Sequence, residues 1–253
     1  MPLTDDAIAK IRGMIQSGEL PPGSRLPPEQ QLATQIGLSR SGVREAVKVL
    51  EAARVLDVRQ GDGTYVTSLA PRLLLEGLGV TLELLRDDTL LEVMEVRRLL
   101  EPAATGLAAL RMSQSTLDEL ARILQDMRAA SNDAEALIHH DTAFHRTVIA
   151  ATANETLTSL LDGLSGRTVR ARVWRGLIEA NAAHITLSEH ENIYRALCAR
   201  DPQLAQASAL VHVHTSEAWL RTVIADGDDQ PARKPAPVWP VAARSPGSRR
   251  PRS

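Results

Sequence analysis

Aromatic residues are nearly missing from this chain: one Phe, two Tyr and three Trp among 253 residues, 2% in all. Hydrophobic residues still reach 43%, so the apolar mass is of the Leu and Ala type. That favours helix packed on helix over a sheet sandwich. Cysteine is reduced to Cys198, which excludes an intrachain disulfide and suits a reducing compartment. No apolar run approaches the roughly 18 residues that a spanning helix needs. The opening MPLTDDAIAK lacks the basic-then-apolar pattern of a signal peptide. These absences point to a soluble, cytoplasmic protein with no membrane partner. Charge of one sign is lacking too. The net charge is −2, and residues 1–69 hold eight Lys/Arg against eight Asp/Glu. Any nucleic-acid contact must therefore come from placement, with Arg25, Arg40, Arg44 and Arg59 gathered on one side.

What the chain does have is a sharply punctuated first quarter. Ile8, Ile11, Met14 and Ile15 share one face of an expected helix over 4–17. A loop rich in Pro and Gly follows over 18–28, then a short helix over 28–36. Gly37 makes a turn, and Ser39 opens a helix over 39–53. There Val43, Ala46, Val47 and Leu50 recur at i, i+3, i+4 and i+7 and define a buried face. Arg40, Ser41 and Arg44 are left pointing outward near the amino end. Two helices about a glycine turn, with cationic and hydroxyl groups at the start of the second, suit the major groove of DNA. Two β-type runs, 55–59 and 64–67, flank Gln60-Gly61-Asp62-Gly63 and read as a hairpin. The spacing predicts a winged helix-turn-helix over 1–68. A solvated helix face for Arg40 and Arg44, and a plain tight turn for Gly61, remain open on pattern alone.

From the linker at 69–78 onward the periodicity is helical, over about 72–85, 88–110, 115–130, 133–152, 155–180, 186–200 and 202–225. Seven helices predict an antiparallel all-α bundle over 79–225. Residues 226–253, rich in Pro, Arg and Ser, read as a disordered tail. Within the bundle, Asp141 and His145 lie one turn apart on one helix face. His190 and His212 fall on later helices among apolar neighbours. One carboxylate and three imidazoles suit Zn²⁺, Ni²⁺, Mn²⁺ or Fe²⁺. The same region holds His139, His140, His184 and His214, so a chance pairing of core or surface histidines is also open.

The stretch GELPPGSRLPPEQQLATQIGLSRSGVREAVKVLEAARVLDVRQGDGTYV, Gly18 to Val66, resembles the GntR-family DNA-binding domain. The resemblance implies that Ser39, Arg40, Ser41 and Arg44 meet bases and phosphates, and that Gln60 and Gly61 enter the minor groove. Some members carry arginine directly after the glutamate of the second helix, where this chain has Gln30. Residues 92–102, EVMEVRRLLEP, resemble the opening of the FadR-type ligand-binding domain called FCD. Asp141-Thr142-Ala143-Phe144-His145 is similar to its DxxFH helix, and 188–193 and 207–213 to its last two histidine helices. This resemblance implies a divalent metal, zinc foremost, on Asp141, His145, His190 and His212. A small carboxylate effector would complete the shell with Arg97 as its partner. Members that bind acyl-CoA lack this ligand set. A homodimer on a palindromic operator follows, with repression as the family habit. Two alternatives stay open: the same regulator with a structural or absent metal, and a metal-dependent hydrolase or lyase. The absence of a general base or nucleophile motif weighs against an enzyme.

Overall fold

The computed structural model describes residues 2–75, 89–179 and 181–228. The expected helix over 72–85 and tail over 226–253 lie mostly outside these residues.

The first unit is built from α1 (Pro2–Gln16), α2 (Glu29–Ile36), α3 (Arg40–Ala52) and a hairpin of β1 (Leu56–Arg59) and β2 (Gly63–Val66). Ile11, Leu32, Val43, Ala46, Leu50, Leu56 and Val66 form its core. Each comes from the apolar stripe of its own element. Gly37 ends α2 in the left-handed region at φ 68°, which glycine adopts without penalty. Ser39 then caps α3 by accepting from the Gly42 N–H, a contact typically worth about 1 kcal/mol. The strands pair antiparallel with Leu56 opposite Val66 and Arg59 opposite Gly63. The proline loop does more than connect. Gly23 N–H donates to Val66 O, Leu26 N–H to Thr64 O and Val66 N–H to Ser24 O, so the loop lies along β2 as an added edge.

The second unit comprises α4 (Leu90–Arg111), α5 (Gln114–Ala129), α6 (Ala134–Ala150), α7 (Glu155–Ile178), α8 (Ala182–Cys198) and α9 (Pro202–Asp228). Ser113, Asp133 and Asn154 each accept from a backbone N–H in the first turn of the helix that follows. The Asp201 side chain accepts from Gln203 and Leu204 N–H where Pro202 opens α9. Helix α8 begins four residues before the expected 186, because Ala182 is buried and extends the apolar face by one turn. The main core gathers Leu117, Leu120, Leu124, Met127, Phe144, Val148, Ile193 and Leu197. Helices α4 and α9 approach at Gly106, where a Cβ would sit 2.8 Å from the Pro202 carbonyl oxygen. Glycine there sets the spacing of two helices that wall the histidine cluster.

Candidate nucleic-acid interface and candidate metal centre

Helix α3 turns Val43, Ala46 and Leu50 inward, which leaves the opposite face to solvent. The Arg40 and Arg44 side chains are 58% and 50% exposed, and both reach one carboxylate, Glu29 in the first turn of α2. Arg44 donates to Glu29 Oε2 through Nε at 3.2 Å and through Nη2 at 3.1 Å. Arg40 Nε reaches the same oxygen at 3.4 Å. Arg44's hydrogen bonds hold the Glu29 carboxyl below its usual range against a smaller opposing effect of burial. Ser39 spends its hydroxyl on the helix cap and lies 3.3 Å from the exposed Ser41 hydroxyl. Gln60 and Gly61 sit exposed at the hairpin tip, with Gly61 at φ 78°. Arg25 is a brace for that tip: it donates to the Asp62 carbonyl and packs on Gly63, where any Cβ would collide with its guanidinium.

In the second unit, Asp141 and His145 come from α6, His190 from α8 and His212 from α9. All four are buried, and one ligand atom from each lies within 4.8 Å of the others. The imidazoles share a common arrangement. His190 Nδ1 is 2.7 Å from the Thr186 carbonyl oxygen. His212 Nδ1 is 2.9 Å from Glu189 Oε2, and His145 Nδ1 is 2.9 Å from Glu101 Oε1. A carbonyl or an ionised carboxylate only accepts, so each Nδ1 carries the hydrogen and each Nε2 keeps a lone pair. Those lone pairs converge. His145 Nε2 and His212 Nε2 are 3.1 Å apart, and His190 Nε2 is 3.2 Å from Asp141 Oδ1.

Two imidazole lone pairs and a carboxylate oxygen facing one another at such distances repel unless a cation is shared. Ligands about 2.1 Å from a tetrahedral or octahedral ion stand roughly 3.0–3.4 Å from each other, so the donor set fits a borderline divalent metal. His190 Nε2 is buried and, apart from its 3.2 Å approach to Asp141 Oδ1, has no hydrogen-bond partner among the described residues, which leaves it available to a cation. The single phenylalanine, Phe144, packs edge-on against His190 at 4.8 Å and fixes the ring. Burial lowers His212 to about 4, helped by the charge of His190 and opposed by its bond to Glu189; the ring stays neutral and ligand-competent at pH 7. Burial alone would raise the Asp141 and Glu101 carboxyls. The charge of Arg172 at Asp141 and of Arg97 at Glu101 opposes it, and together with the neighbouring histidines holds both well below the ordinary range.

Residues that spacing did not single out complete the site. Glu101 and Glu189 orient His145 and His212, and Arg172 from α7 donates to Asp141. Arg172 Nε and Nη2 are buried and have no acceptor among the described residues. A cleft beside the cluster is lined by Asp141, His212, Arg172, Arg175, Thr186 and Ser216. Arg97 is 2% exposed; its Nε and Nη2 donate to Glu101 and its Nη1 to Thr168 at 2.8 Å. Glu101, held between Arg97 and His145, and Arg172, held to Asp141 through one nitrogen, were marked in the sequence by nothing beyond their charge within helical stretches. No helix among the described residues is long and apolar enough to cross a membrane.

Residues 3–66 match the gntR family of bacterial regulatory proteins, and residues 92–215 match the FCD domain. The chain is 32% identical over 209 residues to the HTH-type transcriptional regulator LutR of Bacillus subtilis, covering 81% of this chain and 94% of that protein. It is 32% identical over 228 residues to the galactonate operon transcriptional repressor of Escherichia coli, covering 87% and 97%. Among solved structures, Streptococcus agalactiae GntR superposes with a TM-score of 0.63 at 27% identity, covering 85% of this chain and 99% of that one. The two family matches coincide with the two units of the fold, the winged helix-turn-helix and the helical domain. The chain belongs to the gntR family of bacterial regulatory proteins, as a DNA-binding transcriptional regulator of the FCD class and not an enzyme.

Proposed function

We propose that this regulator is a homodimeric, cytoplasmic repressor whose grip on a palindromic operator loosens when a small carboxylic acid binds at a metal centre in its second unit. Residues 1–68 read the operator: Ser41, Arg40 and Arg44 meet the major groove under the Ser39 cap, and Gln60 and Gly61 reach the minor groove from a wing braced by Arg25. Residues 79–225 sense the effector. Asp141, His145, His190 and His212 hold the ion, zinc being the best fit to three imidazoles and one carboxylate, with nickel, manganese and iron also suited. Bound there, the ion supplies a Lewis-acidic site for a carboxylate oxygen.

The observation that carries the reading is the convergence of three Nε2 lone pairs, each Nδ1 being tied to an acceptor. The effector's carboxylate is assigned to Arg172, whose Nε and Nη2 lack acceptors, because Arg97 is committed to Glu101 and acts through it on His145. Thr186 and Ser216 beside the cleft suit a hydroxylated acid, in keeping with a relative named for a galactonate operon. Exposed Leu99 and Leu110, aligned on one side of α4, offer apolar surface to a second copy.

Thermal unfolding against a panel of small hydroxy acids, with and without chelator, tests the sensor. A ligand bound only by the native state raises the midpoint. The expected shift occurs with one acid, disappears on chelation and disappears in His145→Ala. Shifts indifferent to chelator would reduce the metal to a structural part or remove it from the account. A reporter fused behind the operator checks the sign: expression should rise when the protein is deleted.

A further inference from the structure

We infer that Glu29 determines the DNA selectivity of the recognition helix, by fixing the orientation of Arg44 and by discouraging its contact with phosphate. The inference rests on Arg44 meeting DNA, as proposed above. A guanidinium has two hydrogen-bonding edges. Glu29 occupies the Nε/Nη2 edge of Arg44, at 3.2 and 3.1 Å. Among the described residues Nη1 has no partner, so the Nη1/Nη2 edge is the one offered outward. That edge matches the O6 and N7 acceptors of guanine in the major groove. An arginine without its carboxylate would sweep through many rotamers, and each phosphate it met would be as good a partner as a base.

Charge supports the same conclusion. Glu29 serves Arg40 and Arg44 together, so two cations and one anion leave the cluster with a single positive charge. A phosphate drawn to Arg44 must also approach the Glu29 carboxylate, whereas the edge of a neutral base carries no such penalty. Helix α2, EQQLATQI, has no Lys or Arg to offset Glu29, and Gln30 follows it directly. The carboxylate remains ionised, since its paired guanidiniums lower its proton affinity. Glu29 touches the reading arginines and so acts as a positioning residue.

The test uses the full-length protein and two fluorescein-labelled duplexes: one enriched from a random library by the wild-type protein, and the unselected library itself. Binding is followed by anisotropy over a range of salt concentrations. For Glu29→Gln we expect tighter binding to the random duplex, a log K against log salt slope steeper by about 1, and a selected-to-random affinity ratio roughly tenfold lower. Glu29→Asp keeps the charge on a shorter arm; it should keep the wild-type slope while losing part of the ratio. In an Arg44→Ala background Glu29→Gln should no longer change the ratio, because the two residues act as one unit. The inference is overturned if Glu29→Gln leaves the ratio unchanged while Arg44→Ala lowers it, or if both backgrounds lose the same factor. If Arg44→Ala binds both duplexes as the wild type does, the assignment of the recognition helix falls, and this inference with it.

Discussion

Arg44 and Arg97 each turn the Nε/Nη2 edge of a guanidinium toward one glutamate, Glu29 and Glu101, with nitrogen–oxygen distances near 3 Å in both. Arg44 is half exposed, while Arg97 and Glu101 are each 2% exposed. In water the first pair is screened by salt and adds little to stability, so what it sets is the orientation and net charge of an exposed guanidinium. The second pair has lost its hydration, and neither member can leave without stranding the other. The same two side chains thus orient an exposed surface in one unit and make a buried scaffold in the other. Reading DNA needs the former. Holding three imidazoles in one tautomer needs the latter.

Removing one member of each pair is the most direct attack on this contrast. Arg97→Ala leaves Glu101 buried and uncompensated and should cost about 3–5 kcal/mol of stability in denaturant unfolding. Arg44→Ala should leave the unfolding midpoint where it was while weakening operator binding roughly tenfold or more. Equal losses of stability would break the comparison.

Acidification probes the buried side alone. His212 is held near 4 in the folded chain against an ordinary value of 6.5. Between those values the unfolded chain binds the extra proton, so stability falls as pH drops from about 6.5 to 4, by at most about 1.4 kcal/mol per pH unit. Melts in chelator should show this slope, and His212→Gln should flatten it.

Two glycines sharpen the comparison at smaller cost. A Cβ at Gly106 meets backbone at Pro202, so Gly106→Ala should destabilise by about 1–3 kcal/mol in a calorimetric melt. At Gly63 the obstacles are the Arg25 side chain and a φ of 154° that other residues rarely adopt. Gly63→Ala should therefore lower the melting midpoint through backbone strain and also weaken DNA binding by shifting Arg25. The smallest effect expected is that of Ser39→Ala, about 1 kcal/mol from the lost cap, seen as a small shift in the denaturant midpoint.

Most of the architecture was legible because it is local. Turn glycines, caps at Ser39, Ser113 and Asn154, and apolar stripes on each helix are recorded within a few residues of where they act. The gathering of four residues was legible for a related reason: Asp141 and His145 share a helix turn, and His190 and His212 each stand in an apolar stripe. Glu101, Glu189 and Arg172 were not legible, although two of them lie inside motifs quoted from the sequence. Their roles depend on partners 44, 23 and 31 residues away, and nothing near them in the chain marks an inward-facing charge. The pairing of the proline loop with β2 was hidden similarly, since Pro and Gly announce a loop and say nothing of what its remaining N–H groups meet.

The bridging of α4, α6, α8 and α9 by the histidine cluster also has a consequence for how the domain forms. His145 and His212 are 67 residues apart, and Arg97 and Thr168 are 71 apart. Contacts across such separations close only after the entropy of long loops has been lost, so they form late in folding. In the nascent chain an ion would find only Asp141 and His145 of the four on one helical turn, too few donors to hold it. An ion held by all four residues would therefore bind a domain already folded, and would lengthen the lifetime of that domain without hastening its formation.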